Sequence, residues 1–245
     1  MSKRLSLDGV DCGVLALETS TDACSVALAN ATGTSQRHEV APRQHSQRLF
    51  ELLGELLPVG GLRAQGVHAV AYGSGPGSFT GLRIAASAAQ GLAFASGLPV
   101  VPVPSLAVLA QSALRMGRLE ECDTALCLVD ARLNEVYAAV YSFTGGYAVL
   151  QQGPWACAPE KLALEGRAPL VAVGDGCAQL SRSSAVLRHR VRAVHPELLP
   201  HALDVIPLAR QLFARGASQT PAEVNPDYVR DEINWKKLSE QGRQQ

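Results

Sequence analysis

Two acidic residues stand where chemistry is possible, each at the end of a predicted buried strand. Glu18 follows VLAL, Asp130 follows TALCLV, and a polar turn comes after each acid. Paired acids facing one cleft can hold a water molecule or a magnesium ion. Together with the GDG turn at 174–176, they would suit an ATP-dependent phosphotransferase or a peptidase acting in its own cleft between two lobes. The alternative, which we favour, is that both acids cap the turns that follow them.

A glycine-rich segment at 73–81, GSGPGSFTG, lies between a predicted strand and a predicted helix. Amides in such a loop can converge on an anion, so Gly75, Gly77 and Ser78 are candidate contacts for a phosphate or a nucleotide. The segment is not a P-loop, because Leu82 stands where that motif needs Lys. It is not a dinucleotide fingerprint, because Ser78 replaces the third glycine. The other interpretation is a tight turn in which Ser78 caps the helix.

The remaining polar residues give weaker signals. The six histidines show no HxxxH or HExxH spacing, the six cysteines form no CxxC pair, and no G-x-S-x-G segment occurs. We therefore expect no metal site and no catalytic nucleophile. The arginines between positions 182 and 192 form a basic run, which either contacts RNA phosphate or is a solvated face.

Composition excludes further classes. The 245 residues are 47% hydrophobic, which excludes disorder, and the formal net charge of zero argues against a stand-alone nucleic-acid-binding protein. The uncharged stretch 84–114 contains several Gly and Pro residues, so it predicts a buried helix, a strand and the start of a second helix rather than a membrane span. With no apolar signal core at the N-terminus and no CxxC pair, we expect a reduced, cytoplasmic protein.

The elements that must position these residues repeat along the chain. Strands are predicted at 14–20, 25–30, 34–41, 67–72 and 99–103, and then at 124–130, 135–143, 147–152 and 170–173. Helices are predicted at 44–57, 79–96, 159–164 and 203–215. Both halves thus have the order βββαβα, which predicts an α/β protein of two lobes, 1–104 and 105–245. A duplicated two-lobed architecture of this kind is that of the actin, hexokinase and Hsp70 group (ASKHA).

The predicted helix at 79–96 is made mostly of small residues, including six alanines and two glycines. Small residues on every side leave one face for the sheet and a second face for a partner. The helix at 44–57 is its predicted neighbour, so the two helices together could form a self-complementary dimer surface.

Several segments resemble a known family. They are LALETSTDACSVAL, HSQRLFELLGELL, AYGSGPGSFTGLRIAASAAQGLAFASGLPVVPVPSL, LVDARLNEVYAAVY and NPDYVRDEINWKK. Over about residues 14–237 the chain closely resembles the TsaB (YeaZ) family of bacterial tRNA threonylcarbamoyladenosine biosynthesis proteins. The long glycine-rich segment with its following helix carries most of the resemblance.

The resemblance implies an accessory subunit without catalysis of its own. Its expected partners are a TsaD-like paralogue, which transfers the threonylcarbamoyl group from threonylcarbamoyl-AMP to N6 of the adenosine beside the anticodon, and a TsaE-like ATPase. It implies a homodimer when the chain is alone, contact with tRNA only through the complex, and no membrane association. No cofactor is expected on this chain alone, although the junction of the complex is a candidate place for ATP or ADP.

The resemblance also bears on metal. In the TsaD paralogue, a VHHxEGH segment after the glycine-rich helix holds a metal ion through two histidines. The matching positions here are Ser105 and Leu109. A hydroxyl and an alkyl chain do not replace two imidazoles, so we expect no bound metal and no catalytic residue.

The resemblance implies that two copies pair through the helix after the third strand and the helix after the glycine-rich loop. It also implies that the same surface pairs with the TsaD-like paralogue. Carried onto this chain, the predicted interface residues are His45, Arg48, Leu49, Leu52, Arg83, Ser87, Gln90 and Phe94.

Overall fold

The computed structural model describes residues 12–57 and 60–229. The remaining parts of the predicted lobes, and the end of the resemblance after residue 229, lie outside these ranges. The strands in the described part are β1 (Gly13–Glu18), β2 (Ala23–Asn30), β3 (Gly33–Val40), β4 (Val67–Gly75), β5 (Val100–Pro104), β6 (Ala125–Arg132), β7 (Glu135–Thr144), β8 (Tyr147–Cys157), β9 (Leu170–Val173) and β10 (Val191–His195). The α-helices are α1 (His45–Leu56), α2 (Phe79–Ser96), α3 (Ser105–Arg115), α4 (Ala185–Arg190) and α5 (Ala202–Ala214).

The strands form two five-stranded sheets with the same topology. The first has the order β3-β2-β1-β4-β5, and the second has the order β8-β7-β6-β9-β10. In each sheet the central strand is antiparallel to the next strand in the chain and parallel to the strand that begins the second half of the unit. The predicted two-lobed α/β duplication is therefore confirmed.

The repeated unit is longer than predicted. In the first half, two further elements, β5 and α3, come after the predicted βββαβα series. In the second half, β10 and α5 hold the equivalent places. The helix predicted at 159–164 is only a single 3₁₀ turn, Pro159–Lys161. No element was predicted between the strand at 170–173 and the helix at 203–215. This region holds a 3₁₀ stretch at Asp175–Arg182, followed by α4 and β10. The 3₁₀ stretch and the six-residue α4 are too short to show a helical period in the sequence, and β10 has only five residues.

The two lobes share one hydrophobic core because α3 and α5 lie between the sheets. A single buried cluster includes the inner faces of β1 and β4, the inner faces of β6 and β9, and both helices. Helix α5, from the second half, packs on β1, β2, β4 and β5, whereas α3, from the first half, packs mainly on the second sheet. Each half therefore supplies a helix to the other, and the lobes are held as one body.

A buried polar bridge joins these two central helices. Asp204 on α5 is 2% exposed and accepts hydrogen bonds from Arg115 Nε (2.7 Å), Arg115 Nη2 (2.9 Å) and Ser112 Oγ (2.7 Å) on α3. Beside it, His38 on β3 and His201 stack with ring centroids 3.6 Å apart. A buried carboxylate with three donors fixes the register of α3 against α5.

The outer face of the first sheet is covered by α1 and α2, which form a second core with it. The outer face of the second sheet is covered by 3₁₀ segments and loops instead of long helices. The uncharged stretch 84–114 resolves into α2, β5 and α3, as predicted. Among the described residues, no helix has the length and apolar character needed to cross a bilayer.

Candidate functional site

The glycine-rich segment is packed backbone to backbone against the turn between β1 and β2. A Cβ atom at Gly81 would lie 1.9 Å from the carbonyl oxygen of Thr19, and one at Gly77 would lie 2.4 Å from that of Ser20. No side chain fits at these distances. The glycines are therefore required by the close approach of two loops, which is a structural reason for the pattern.

Three amides of the glycine-rich segment already have partners within the chain. Ser78 N donates to Ser20 O (2.7 Å), Gly75 N donates to Ser105 Oγ (3.2 Å), and Gly81 N donates to the Ser78 side chain (3.3 Å). Gly77 is buried against Ser20. The predicted anion or nucleotide contact is therefore corrected for Gly75 and Ser78, whose amides donate within the chain, and it stays a prediction for Gly77. The alternative prediction, Ser78 as the cap of α2, is confirmed.

Glu18 does not face a cleft. Its side chain is fully buried, Oε1 accepts a hydrogen bond from Ser20 N (2.6 Å), and Oε2 accepts one from Ser105 Oγ (3.3 Å). Burial raises the pKa of this carboxyl above its ordinary value. Gly73 lies directly over it, since a Cβ there would be 1.9 Å from Oε2. The carboxyl therefore ties β1 to the start of α3 beneath the glycine-rich loop.

The second acid, Asp130, belongs to a similar packed turn. Its amide donates to Asp175 Oδ1 (3.0 Å), and its own Oδ1 accepts from Arg132 N (2.9 Å). Burial raises the pKa of Asp175, and the charges of Asp130 and Asp22 raise it further. Gly176 packs against the β6 backbone, since a Cβ atom added to it would lie 2.7 Å from the carbonyl carbon of Leu128.

These acids do not fit the phosphates of a nucleotide. The amides of Gly75, Ser78 and Gly81 are occupied, the Glu18 carboxyl is sealed in the core, and the carboxylates around the second turn would repel phosphate. A phosphotransferase or peptidase acting in the cleft would depend on Glu18, Asp130 and the GDG turn. In this structure these residues serve packing.

The two positions for which the resemblance implies metal-binding histidines in the paralogue, Ser105 and Leu109, are also packed. Ser105 is 2% exposed and bridges Gly75 N and the Glu18 carboxyl. Leu109 is fully buried in the core that the two lobes share, against Gly174. In residues 12–57 and 60–229, no group of three or more His, Cys, Asp or Glu side chains is arranged to hold a metal ion.

The basic run is held by the loops of the second lobe. Arg182 pairs with Glu160 (2.8 Å) and Arg192 pairs with Asp123. Arg188 donates to backbone carbonyls of the 3₁₀ stretch, and Arg190 donates to three carbonyls between 164 and 168. These guanidinium groups fasten the outer covering of the second sheet, while the Arg182 and Arg192 side chains stay 37% and 54% exposed, so contact with RNA phosphate stays a prediction.

Helices α1 and α2 lie together on the outer face of the first sheet, where the partner surface was predicted. Arg83, Ser87, Gln90 and Phe94 form an exposed stripe along α2. Arg48 is half-buried and already pairs with two acids, Glu39 and Glu51.

Three predicted interface residues need correction because their side chains point into the protomer. Leu49 is 0% exposed and Leu52 is 4% exposed, and both belong to the core beneath α1. His45 is buried, and its Nε2 is 2.8 Å from Thr21 O. The leucine spacing that identified α1 marks its core face, so the partner face had to lie on the other side of the helix.

The sequence reasoning found Phe94 but missed two further aromatic residues of this surface, Phe50 and Phe79. Phe50 is 59% exposed, Phe79 is 56% exposed and Phe94 is 79% exposed, which accounts for three of the five phenylalanines in the chain. Phe50 lies off the leucine stripe, and that position was the available signal. Exposed aromatic side chains on two adjacent helices are typical of a surface that binds another protein.

Comparison with known proteins agrees with this architecture. A family model described as "TsaD: tRNA N6-adenosine threonylcarbamoyltransferase" matches residues 31–219. The TsaB protein of Haemophilus influenzae is 35% identical over 234 residues, covering 92% of this chain and 96% of the relative. The TsaB protein of Escherichia coli is 35% identical over 238 residues, covering 92% and 97%. The chain belongs to the TsaB family.

The solved structures support the same assignment. YeaZ from Pseudomonas aeruginosa superposes with a TM-score of 0.78 at 37% identity, covering 89% of this chain and 99% of that one. The match to the TsaD model shows that the TsaB family and the transferase family are related. The resemblance stated from the sequence motifs is therefore confirmed for nearly the whole chain.

Proposed function

We propose that this TsaB-family protein is a non-catalytic subunit of the machinery that makes threonylcarbamoyladenosine in tRNA. A TsaD-like partner transfers the threonylcarbamoyl group from threonylcarbamoyl-AMP to N6 of the adenosine beside the anticodon. The observation that carries the proposal is the pair Ser105 and Leu109. Where the paralogue is expected to hold metal, this chain has a hydroxyl bonded to a buried carboxyl and an alkyl chain packed in the core.

The exposed face of α1 and α2 is the proposed contact with the TsaD-like partner. It offers Phe50, Phe79 and Phe94, aromatic anchors of the kind that dominate protein interfaces. The same face would pair two copies of this chain when the partner is absent, and the homodimer would then have to separate before the heterodimer forms. We place the protein in the cytoplasm, with a TsaE-like ATPase and ATP or ADP at the junction of the complex, and with tRNA bound through the complex.

An omission assay tests the proposal. Unmodified tRNA, threonine, bicarbonate, ATP, the adenylate-forming enzyme, the TsaD-like protein and the TsaE-like ATPase are combined with and without this chain, and modified nucleoside is measured. We expect modification only when both this chain and the TsaD-like protein are present. Modification that is unaffected by omission of this chain would refute an accessory role.

A second arm addresses catalysis by this chain. Glu18→Gln and Asp130→Asn each remove an acid that the cleft-enzyme alternative requires while keeping the side-chain size. We expect each folded variant to support modification at the wild-type rate. In a thermal-shift titration, ATP with magnesium should leave the unfolding temperature of the isolated chain unchanged, whereas a ligand at a hundredfold excess over its Kd stabilises a protein by about 2.7 kcal/mol. Loss of modification in a folded variant, or a clear shift with ATP, would favour the enzyme.

A further inference from the structure

The chain returns to the first lobe after α5. We call residues 217–229 the C-terminal strap. Gln219 N donates to Val100 O (2.8 Å) and Val100 N donates to Gln219 O (2.9 Å), so the strap adds an antiparallel bridge to the edge of the first sheet. Further along, Gln90 Nε2 on α2 donates to Pro221 O (2.7 Å). The strap therefore runs beside the helix that carries the proposed partner surface.

The end of the strap is fixed to the glycine-rich loop. Ser74 Oγ donates to Asp227 Oδ2 (2.6 Å), and Asp227 N donates to Ser74 O (2.7 Å). Tyr72 OH donates to Asn225 O (2.9 Å). These bonds join residues 153 positions apart in the chain, and they place the next residue, Tyr228, at the start of α2.

Tyr228 completes a cluster of two aromatic rings around one guanidinium group. Arg83 Cζ lies 3.3 Å from the ring centroid of Phe79 and 5.5 Å from that of Tyr228. The two rings are 5.9 Å apart, and both residues are well exposed, Phe79 at 56% and Tyr228 at 43%. Within the described residues, no carboxylate lies within ion-pair distance of Arg83. Stacking holds the guanidinium plane in one orientation, and its N–H groups remain available at the surface.

Resting on the proposed function, we propose that the C-terminal strap is part of the partner-binding surface, where Tyr228 and Phe79 hold Arg83 to bind a carboxylate side chain of the TsaD-like partner. A planar guanidinium fixed on aromatic faces matches a carboxylate through two parallel hydrogen bonds. The cluster is continuous with the exposed stripe of α2. Arginine and aromatic residues are also the types that contribute most to interface affinity.

The charges of the surrounding surface favour the paralogue over a second copy of this chain as the source of the carboxylate. On β3 and α1 the acids are already paired, Glu39 and Glu51 with Arg48, and Glu55 with Arg37. Helix α2 contains no acidic residue. The acids of the strap are also bonded within the chain, Glu223 to Thr220 and Asp227 to Ser74. In a symmetric pair, the described part of the facing surface would thus offer Arg83 no carboxylate without a partner.

The test compares binding with folding. Kd values for the full-length TsaD-like partner are measured by titration calorimetry for the wild type, Arg83→Ala, Arg83→Lys, Tyr228→Ala and the double variant Arg83→Ala/Tyr228→Ala. We expect each single variant to bind about tenfold more weakly, in the range of a desolvated cation–π contact. The double variant should be hardly weaker than Arg83→Ala, because both residues act on one contact. Arg215→Ala, which alters an exposed arginine at the end of α5, is the matched control and should bind normally.

Unfolding temperatures separate a structural role from a binding role. All variants should keep the wild-type unfolding temperature within about 2 °C, since the altered side chains are surface residues. Wild-type affinity in every variant would overturn the inference while leaving the proposed function intact. Wild-type protein that does not bind the TsaD-like partner would overturn both. Variants that bind the partner normally but lose tRNA retention would overturn the carboxylate assignment in favour of phosphate.

Discussion

Gly81→Ala tests whether the glycine-rich loop is a packing device. The added methyl group would lie 1.9 Å from Thr19 O, and real Cβ atoms do not approach other heavy atoms closer than 3.0 Å. The obstacle is a backbone carbonyl, which cannot rotate away. The start of α2 must therefore move from the β1–β2 turn by about 1.1 Å.

That movement has a predictable cost. Overpacking in a tight site destabilises by about 1–3 kcal/mol. The same displacement breaks the hydrogen bonds from Thr19 Oγ1 to Gly81 O (2.7 Å) and from Ser78 N to Ser20 O (2.7 Å), which contribute about 1 kcal/mol each. Alanine regains about 1 kcal/mol through its better helix propensity. The net loss is about 2–4 kcal/mol, which lowers the unfolding temperature of a chain of this length by about 10 °C.

Gly91→Ala is the matched control, because it makes the same change in the same helix. A Cβ atom at Gly91 meets nothing within 4 Å, so alanine should stabilise by about 1 kcal/mol. Urea denaturation followed by circular dichroism, together with calorimetric unfolding temperatures, measures both variants. If Gly81→Ala is as stable as the wild type, the close packing of the loop is wrong and its amides are again candidates for an anion.

Three further predictions concern the partner surface and the joint between the lobes. Phe94→Ser should weaken binding of the TsaD-like partner by at least about tenfold. It should not lower the unfolding temperature, because the Phe94 side chain is 79% exposed. The control Val186→Ser, at a similarly exposed site on α4, should bind normally, and equal affinities of the two variants would remove Phe94 from the interface. Asp204→Ala should destabilise by about 3 kcal/mol, because it leaves buried Ser112 and partly buried Arg115 without their shared acceptor. Glu55→Ala, which removes an exposed ion pair, should cost less than about 1 kcal/mol in the same urea titration, and similar losses in the two variants would contradict the buried bridge. Burial, together with the neighbouring positive charges, lowers the pKa of His201 to about 3. Between that value and a pH of about 6.5, the unfolded chain therefore binds more protons than the folded chain, and the free energy of unfolding falls as the pH drops. Between pH 7 and pH 5 the wild type should therefore lose about 1–2 kcal/mol more than His201→Asn in urea midpoints, and an identical pH dependence would show that the imidazole is not kept neutral.

Local sequence patterns were enough to locate the main elements. Helix α2 occupies the predicted range, since its start is set by the Ser78 cap and its end by Gly97 in the left-handed conformation. The central strands were recognisable as apolar runs bounded by turns. The six-residue α4 was missed because it is too short to show a period, although Ser184 caps it through a bond from Leu187 N (3.2 Å).

The candidate site was predicted less well, since a residue type does not tell which face it will occupy. The family resemblance assigned two leucines of α1 to the partner surface, and the structure places both of them, Leu49 and Leu52, in the core. Phe50, which does not fit the leucine spacing, is exposed instead. Exposure depends on the sheet beneath the helix, and that sheet is assembled from segments far apart in the chain.

The sequence by itself determined the duplicated α/β plan, the glycine pattern and the family to which the chain belongs, because these depend on local periodicity and on segments that stay intact in the linear chain. Only the tertiary structure decided what the pattern does. The Ser78 amide and the Gly81 carbonyl have partners because the turn at 19–20, some sixty positions away, lies against them. Tyr228 joins Arg83 because Asp227 hydrogen-bonds to Ser74 across 153 positions. Such contacts form when the chain folds, and no spacing in the sequence encodes them.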